Sequence, residues 1–340
     1  MLEYAICEGL VTTEGITMIQ PAIKVHGLTK HYADLVAVDD ISFEVDRGEV
    51  FGFLGPNGAG KTTTIRMLVG LTRPSDGTAM VAGHSITDDI VEVKRRVGVV
   101  PEVSNLYDEL SVWDNLLFMS RLYHVPRQAR TSRIEEILQS FDLMSRSRMK
   151  FGKLSKGLKR RVVIAAALVH APEVVFMDEP TVGLDVVSAR TLREFIEKLG
   201  TEETTVFLTT HYIEEADRLC ERIAIIVEGR IVVADTPEDI KKRIETQPII
   251  RAELSHVPDR SLLRSLSDLG DLEHEGHIIR LRVENPGESL GLLINTLSSR
   301  GMSVEALETV RPTLEEAFVE LTGMSPDRMQ AEKGGVQRWD

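Results

Sequence analysis

The segment Gly55-Pro56-Asn57-Gly58-Ala59-Gly60-Lys61-Thr62 constrains this chain more than any other. It fits G-x-x-x-x-G-K-[ST], between an apolar run, Val50 to Leu54, and a helical pattern carrying Ile65, Leu68 and Val69. A strand, a glycine-rich turn and a helix in that order call for a parallel α/β unit. Glycines let backbone N–H groups curl around a phosphate without a Cβ clash, and the helix N-terminus adds partial positive charge. Lys61 is placed to reach terminal phosphates and the Thr62 hydroxyl to bind Mg²⁺, with Thr63 beside it in the first turn. The pattern implies binding of a nucleoside triphosphate and leaves open what the energy is used for.

A second segment, Val174-Val175-Phe176-Met177-Asp178-Glu179-Pro180, ends an apolar run with two carboxylates. Continuous apolar character reads as a parallel strand buried on both faces, whose carboxyl end points at the ligand crevice. Asp178 can then hold Mg²⁺, and Glu179, one residue on, can serve as general base for a water.

Patterning divides the chain. Residues 22–26 and 41–45 alternate apolar and polar, as half-buried antiparallel strands do. Val206 to Leu208 and Ile223 to Val227 read as further buried strands, and Glu228-Gly229-Arg230 as a hairpin turn into Ile231 to Val233. Residues from about 103 to 160 are helical in pattern, with Ile134, Ile137, Leu138 and Phe141 on one face, and read as an insertion. After Gln247-Pro248 the chain changes character. Ile250, Ala252 and Leu254 alternate, Leu262, Leu263 and Leu266 suit a helix, and Ile279, Leu281 and Val283 alternate again. Leu290 to Leu297 is helical, Val304 to Val310 reads as a third strand, and residues 313–321 as a closing amphipathic helix. The expected division is an N-terminal extension (1–20), a mostly parallel α/β domain (21–247), a small α+β domain (248–323) and a polar tail (324–340). Residues 1–20 lack a signal-peptide pattern, and Met18 stands just before the first strand-like segment, which leaves a short extension or a misplaced start both open.

Composition narrows the function classes. Apolar residues make up 42% and charged residues 27% of 340, which excludes a long disordered or collagen-like chain. The longest apolar run, Val162 to Val169, is 8 residues. Crossing a bilayer takes ~18, so a membrane role has to come through a partner. A net charge of −13 repels nucleic-acid phosphate over the surface as a whole. Cys7 and Cys220 are far apart and form no metal-ligand spacing.

Smaller segments, taken in order, carry a family resemblance. Leu154-Ser155-Lys156-Gly157-Leu158 precedes the acidic strand, Asp185 follows it in Gly183-Leu184-Asp185, and His211 ends Thr209-Thr210-His211. Tyr32 precedes the glycine-rich loop, and Pro101-Glu102 lies between the two nucleotide segments. With the phosphate loop, these resemble the ATP-binding subunits of ABC transporters over essentially all of 21–247. The resemblance implies a P-loop NTPase core of ABC type, with an antiparallel β subdomain and a helical insertion, plus the small α+β domain. It also implies an ATPase using ATP and Mg²⁺. Tyr32 would stack on adenine, and Gly55, Pro56, Asn57, Gly58, Ala59, Gly60, Lys61, Thr62 and Thr63 would hold the phosphates. Thr62, Asp178 and Glu102 would serve the metal, and Glu179, His211 and Lys61 the chemistry.

Two ATPase domains would sandwich two ATPs head to tail, with Ser155, Lys156 and Gly157 of one domain facing the nucleotide of the other and Asp185 at the dimer loop. Lys156 replaces the usual first glycine, and Leu158 the usual glutamine. Lys156, Glu102 and the closing segment Pro312-Thr313-Leu314-Glu315-Glu316-Ala317-Phe318 resemble ATPases of drug- and sodium-efflux systems, whose permease is a separate membrane chain. The partner implied is an integral membrane permease, with a homodimer of this chain, or a heterodimer, at the inner face of the cell membrane and no nucleic acid. The C-terminal domain would serve dimerisation or regulation, or simply stabilise the chain. The competing reading is a soluble ABC ATPase acting on ribosomes or DNA; the short interval from Lys61 to Asp178 and the single ATPase core disfavour it.

Overall fold

Strands that are buried along their whole length build the centre of this protein, described here from a computed structural model for residues 10–13, 16–201, 204–244, 248–310 and 313–324. The chain divides into two units between Pro237 and Glu238 and again between Leu321 and Thr322.

The first unit opens with an antiparallel hairpin, β1 (Leu10–Thr13) and β2 (Ile16–Ile19). The sequence reading placed the first strand after Met18, but the β-branched residues of 16–19 already pair. Next come β3 (Ile23–Tyr32) and β4 (Leu35–Val45), then β5 (Val50–Leu54) and α1 (Lys61–Leu68). β6 (Asp76–Val81) and β7 (His84–Ser85) return to β3, giving a four-stranded antiparallel sheet in the order β4-β3-β6-β7. α2 (Ile90–Arg96) leads into β8 (Val97–Val100), and α3 (Val112–Leu122) and α4 (Arg130–Ser140) fill the interval before α5 (Lys156–Ala167). β9 (Val174–Asp178), α6 (Val186–Thr201), β10 (Thr205–Thr210), α7 (Ile213–Leu219), β11 (Arg222–Val227) and β12 (Arg230–Asp235) complete the unit.

The principal sheet runs β12-β11-β5-β10-β9-β8, parallel except for the antiparallel edge strand β12. β5, β9 and β10 are buried at every residue, with apolar runs along β5, Val174–Met177 of β9 and Val206–Leu208 of β10 and buried polar residues at the ends of β9 and β10. Between the two sheets lies an aromatic cluster. Phe43 of β4 stacks on Phe51 of β5 with ring centroids 5.6 Å apart, and Phe207 of β10 lies 5.8 Å from Phe51. Offset aromatic stacking and the loss of apolar surface from water both hold this contact. The strand order has a functional consequence. β10 lies between β5 and β9, pairing Thr210 with Leu54 and Thr209 with Asp178, so the carboxyl ends of three adjacent strands open on one crevice.

α8 (Pro237–Lys242) stands at the boundary of the units. The second unit contains β13 (Ile249–Leu254), α9 (Arg260–Ser267), β14 (Asp271–Glu275), β15 (Ile278–Arg282), α10 (Pro286–Ser299), β16 (Val304–Val310) and the start of α11 (Leu314–Thr322). Its antiparallel sheet, ordered β14-β15-β13-β16, gives the split β-α-β arrangement. Ile250, Ala252, Leu254, Ile279 and Leu281 face Leu262, Leu266, Leu293 and Leu297 in one core. The sequence reading counted three strands; β14 is a fourth. Its residues, Asp-Leu-Glu-His-Glu, carry no apolar alternation because this edge strand is mostly exposed. Cys7 and the tail beyond Met324 lie outside the described residues.

Candidate functional site

The turn from β5 into α1 needs a residue in the left-handed region next to a close neighbour. Gly60 has φ 106°, and a Cβ there would sit 2.6 Å from the Ala37 carbonyl oxygen. Only glycine lets the loop close, which explains why the glycines of the phosphate loop are where they are. The turn leaves Lys61 at the first position of α1, with 5% of its side chain exposed. Its Nζ donates to the carbonyls of Gly55 at 2.6 Å and Pro56 at 3.2 Å, and stands 3.0 Å from Glu179 Oε1.

Two strands away the acidic pair is fixed from below. Thr209 Oγ1, fully buried on β10, donates to Asp178 Oδ1 at 2.6 Å and accepts from the Glu179 N–H at 3.1 Å. Thr62 Oγ1 donates to Asp178 Oδ2 at 2.9 Å, joining the phosphate loop to β9. Glu179 adopts φ 46°, a conformation that a glutamate holds only where its surroundings impose it. His211, after β10, brings Nδ1 to 3.0 Å from Glu179 Oε2. The contacts of Glu179 with Lys61 and His211 are at ionic distance, but their angles fall short of a hydrogen bond. Burial pushes the Glu179 carboxyl upward, and His211 and Lys61 together outweigh it, so the group lies below its ordinary value and is ionised at neutral pH.

An open cleft of about 1470 Å³ is bordered by Asn57, Gly58, Gly60, Lys61, Thr62 and Thr63 of the loop, and by Glu102, Glu179 and His211. Tyr32 stands at its rim, 37% exposed, with Lys30 Nζ 5.0 Å from its ring centroid. Gly55, Pro56 and Ala59 belong to the backbone of the same turn, and Gly55 could carry no Cβ, which would meet the Ile226 carbonyl oxygen at 2.2 Å. The cleft can take an extended anion at the loop and a flat ring at Tyr32. Thr62 and Asp178 offer only hard oxygen donors, one of them an anionic carboxylate, the chemistry that suits Mg²⁺ shared with phosphate oxygens. The Glu102 carboxylate borders the cleft and makes no hydrogen bond to Thr62 or Asp178 among the described residues.

Ser155, Lys156, Gly157 and Asp185 do not line this cleft. Ser155 caps α5, accepting from the Leu158 N–H at 3.4 Å. A Cβ on Gly157 would meet Ser188 Oγ at 2.3 Å, and Ser188 in turn is bound by the Asp185 carboxylate at 2.8 Å. Ser188 therefore ties the buried Gly157 to Asp185 across the starts of α5 and α6, with Ser155 and Lys156 exposed beside it. Two further residues escaped the sequence reading. Thr209 reads as an ordinary strand residue, and Arg160 as a polar position of α5, yet Arg160 is buried among backbone carbonyls. Burial lowers the Arg160 guanidinium to about 10 against the pull of Asp178 and Glu102, and it stays charged. Both stand in or beside segments that the sequence singles out, but the contacts that give them their roles are three-dimensional.

Residues 38–182 match the ABC transporter family model, and residues 236–322 that of the C-terminal domain of DrrA1-3-like ATP-binding proteins. The chain is 35% identical over 308 residues to the daunorubicin resistance ATP-binding protein DrrA3 of Streptomyces coeruleorubidus, covering 90% of this chain and 97% of that one. It is 34% identical to the linearmycin resistance ATP-binding protein LnrL of Bacillus subtilis, covering 88% and 98%. It is 35% identical to the Nod factor export ATP-binding protein I of Burkholderia pseudomallei, covering 86% and 94%. A solved ATP-binding subunit of an ABC transporter superposes with a TM-score of 0.60 at 30% identity, over 65% of this chain and 92% of that one. With the loop, the acidic strand end and the histidine gathered at one crevice, the chain belongs to the ATP-hydrolysing, ATP-binding subunits of ABC transporters, in the group that carries a DrrA-like C-terminal domain.

Proposed function

We propose that this chain powers export by a separate integral membrane permease, working as a homodimer at the cytoplasmic face of the membrane and without nucleic acid. The observation that carries the reading is the ionised, nearly buried Glu179, held between Lys61 and His211 and next to Asp178. The relatives named for drug resistance and Nod factor export support the direction of transport. No helix among the described residues is long and apolar enough to cross a membrane. The division of labour follows the sequence: an ATPase domain over 21–247 and an accessory domain over 248–323.

Adenine stacks on Tyr32, and the loop from Gly55 to Thr63 holds the β- and γ-phosphates with Lys61 and with the N–H groups that its turn leaves open. Thr62 and Asp178 hold Mg²⁺, which supplies charge neutralisation at the phosphate oxygens when bound. Glu179 takes a proton from the attacking water, and His211 orients the Glu179 carboxylate and can donate to a γ-phosphate oxygen. Glu102 accepts at the edge of the site, and its segment carries the movement into the helical insertion. Ser155, Lys156 and Gly157 of a second copy close over the γ-phosphate, with Asp185 at the seam. Tighter binding of ATP to the closed dimer than to the open one drives the permease.

Glu179→Gln tests the reading. It should bind ATP normally and hydrolyse it roughly 10²-fold more slowly. A permease should co-purify with the chain from detergent-solubilised membranes. Hydrolysis at the wild-type rate would remove the base assignment, and recovery with ribosomes or DNA in place of a membrane protein would remove the transport assignment.

A further inference from the structure

Arg160 joins three segments that are far apart in sequence. It lies on α5, the helix headed by Ser155, and is 8% exposed. Nε donates to the Pro180 carbonyl at 2.8 Å, and Nη2 to those of Asp178 at 2.9 Å and Glu179 at 3.1 Å. Nη1 donates to the Pro101 carbonyl and, at 3.4 Å, to that of Glu102. One rigid fork thus grips the peptide units on both sides of Glu179 and the segment that carries Glu102. A lysine, with a single point charge and three donors, has no such geometry.

We propose that Arg160 is a positioning residue for hydrolysis: it fastens α5 to the Asp178–Pro180 turn and to the Pro101–Glu102 segment, so that Glu179 and Glu102 follow the helix that bears the Ser155-Lys156-Gly157 segment. The backbone of Glu179 explains the need. At φ 46° it sits where a glutamate does not settle by itself, and it is held from two sides, its N–H by Thr209 and its carbonyl by Arg160. Released on the Arg160 side, the peptide relaxes and carries the carboxylate away from Lys61 and His211. A displacement of α5 caused by a second copy's nucleotide is then felt at this chain's own base. The proposal rests on the reading of Glu179 as that base.

The test uses the full chain with Arg160→Lys and Arg160→Gln, each alone and with Glu179→Gln. A misplacement of 1 Å costs about 10²-fold, so kcat should fall by about tenfold or more while KM for ATP stays within about twofold. In the Glu179→Gln background, Arg160→Gln should add no further loss, because its effect runs through the missing base. Arg160→Lys should not restore kcat. Losses that multiply in the double variant, or wild-type kcat in Arg160→Lys, overturn the proposal. A measurement independent of turnover is amide exchange across residues 178–182, which should quicken in Arg160→Lys while β10 stays protected; unchanged exchange also overturns it. Wild-type hydrolysis by Glu179→Gln alone is a different result. It removes the base assignment, and this proposal with it.

Discussion

Lys61 and Glu179 face each other at the wall of the cleft with both side chains nearly buried, and that determines how each responds to loss of the other. A buried ion pair contributes little over an apolar pair, but removing one partner strands the other charge. Lys61→Ala should therefore abolish ATP binding and also lower the melting temperature of the protein without nucleotide. Adding Glu179→Gln should recover much of that stability, on the order of 2 kcal/mol, and none of the binding. Melting curves and an ATP titration on the single and double variants check both halves. The pH dependence has a definite sign. The Glu179 carboxyl lies below its ordinary value in the folded protein, so its contribution is present at neutral pH. It fades as pH falls below the usual carboxylate range and through the depressed value. Lys61, Asp178 and Glu179 are legible in sequence because the chemistry fixes their spacing within short segments. Arg160 and Thr209 are not, because their partners are backbone carbonyls, an amide and a carboxylate between 18 and 59 residues away.

At the scale of elements, the connection from α5 to β9 holds a second titratable group. His170 stacks on Tyr123 with ring centroids 3.9 Å apart, and its Nε2 lies 3.1 Å from the Val97 carbonyl oxygen. Burial lowers it to about 4, so it is neutral at physiological pH. An unfolded chain takes up this proton near 6.5 while the folded one refuses it until about 4. Stability should therefore fall as pH drops through that window, by up to ~3 kcal/mol. His170→Phe keeps a ring against Tyr123 and should flatten the dependence of melting temperature on pH between those values; an equally steep profile would exonerate His170. Element reading from sequence worked where burial imposes a pattern, as in β5, β9, β10 and β11. It missed β8, whose short Val-Gly-Val-Val run follows a helix without a break, and β14, which is mostly exposed and so carries no apolar signature.

For the whole molecule, Ser155, Lys156 and Gly157 lie outside the cleft that holds Lys61, and the proposed function has a second copy supply them. Lys61→Ala and Ser155→Arg should each be inactive alone. Co-expressed with the permease, the two should regain ATPase activity, because a mixed dimer contains one site with an intact Lys61 and an intact facing Ser155. A mixture that stays inactive would contradict assembly across two chains. The sequence by itself determined the chemistry and the class of core. A phosphate loop demands glycines and a lysine at fixed spacing, and strands covered on both faces must be apolar throughout. Tertiary structure alone decided which strands are neighbours. By placing β10 between β5 and β9 it brought His211 and Thr209 to Asp178 and Glu179, and it set the Arg160 fork beneath them. The physical reason is that pairing order and burial of a polar side chain depend on contacts between distant segments, which leave no periodic trace in the sequence around either partner.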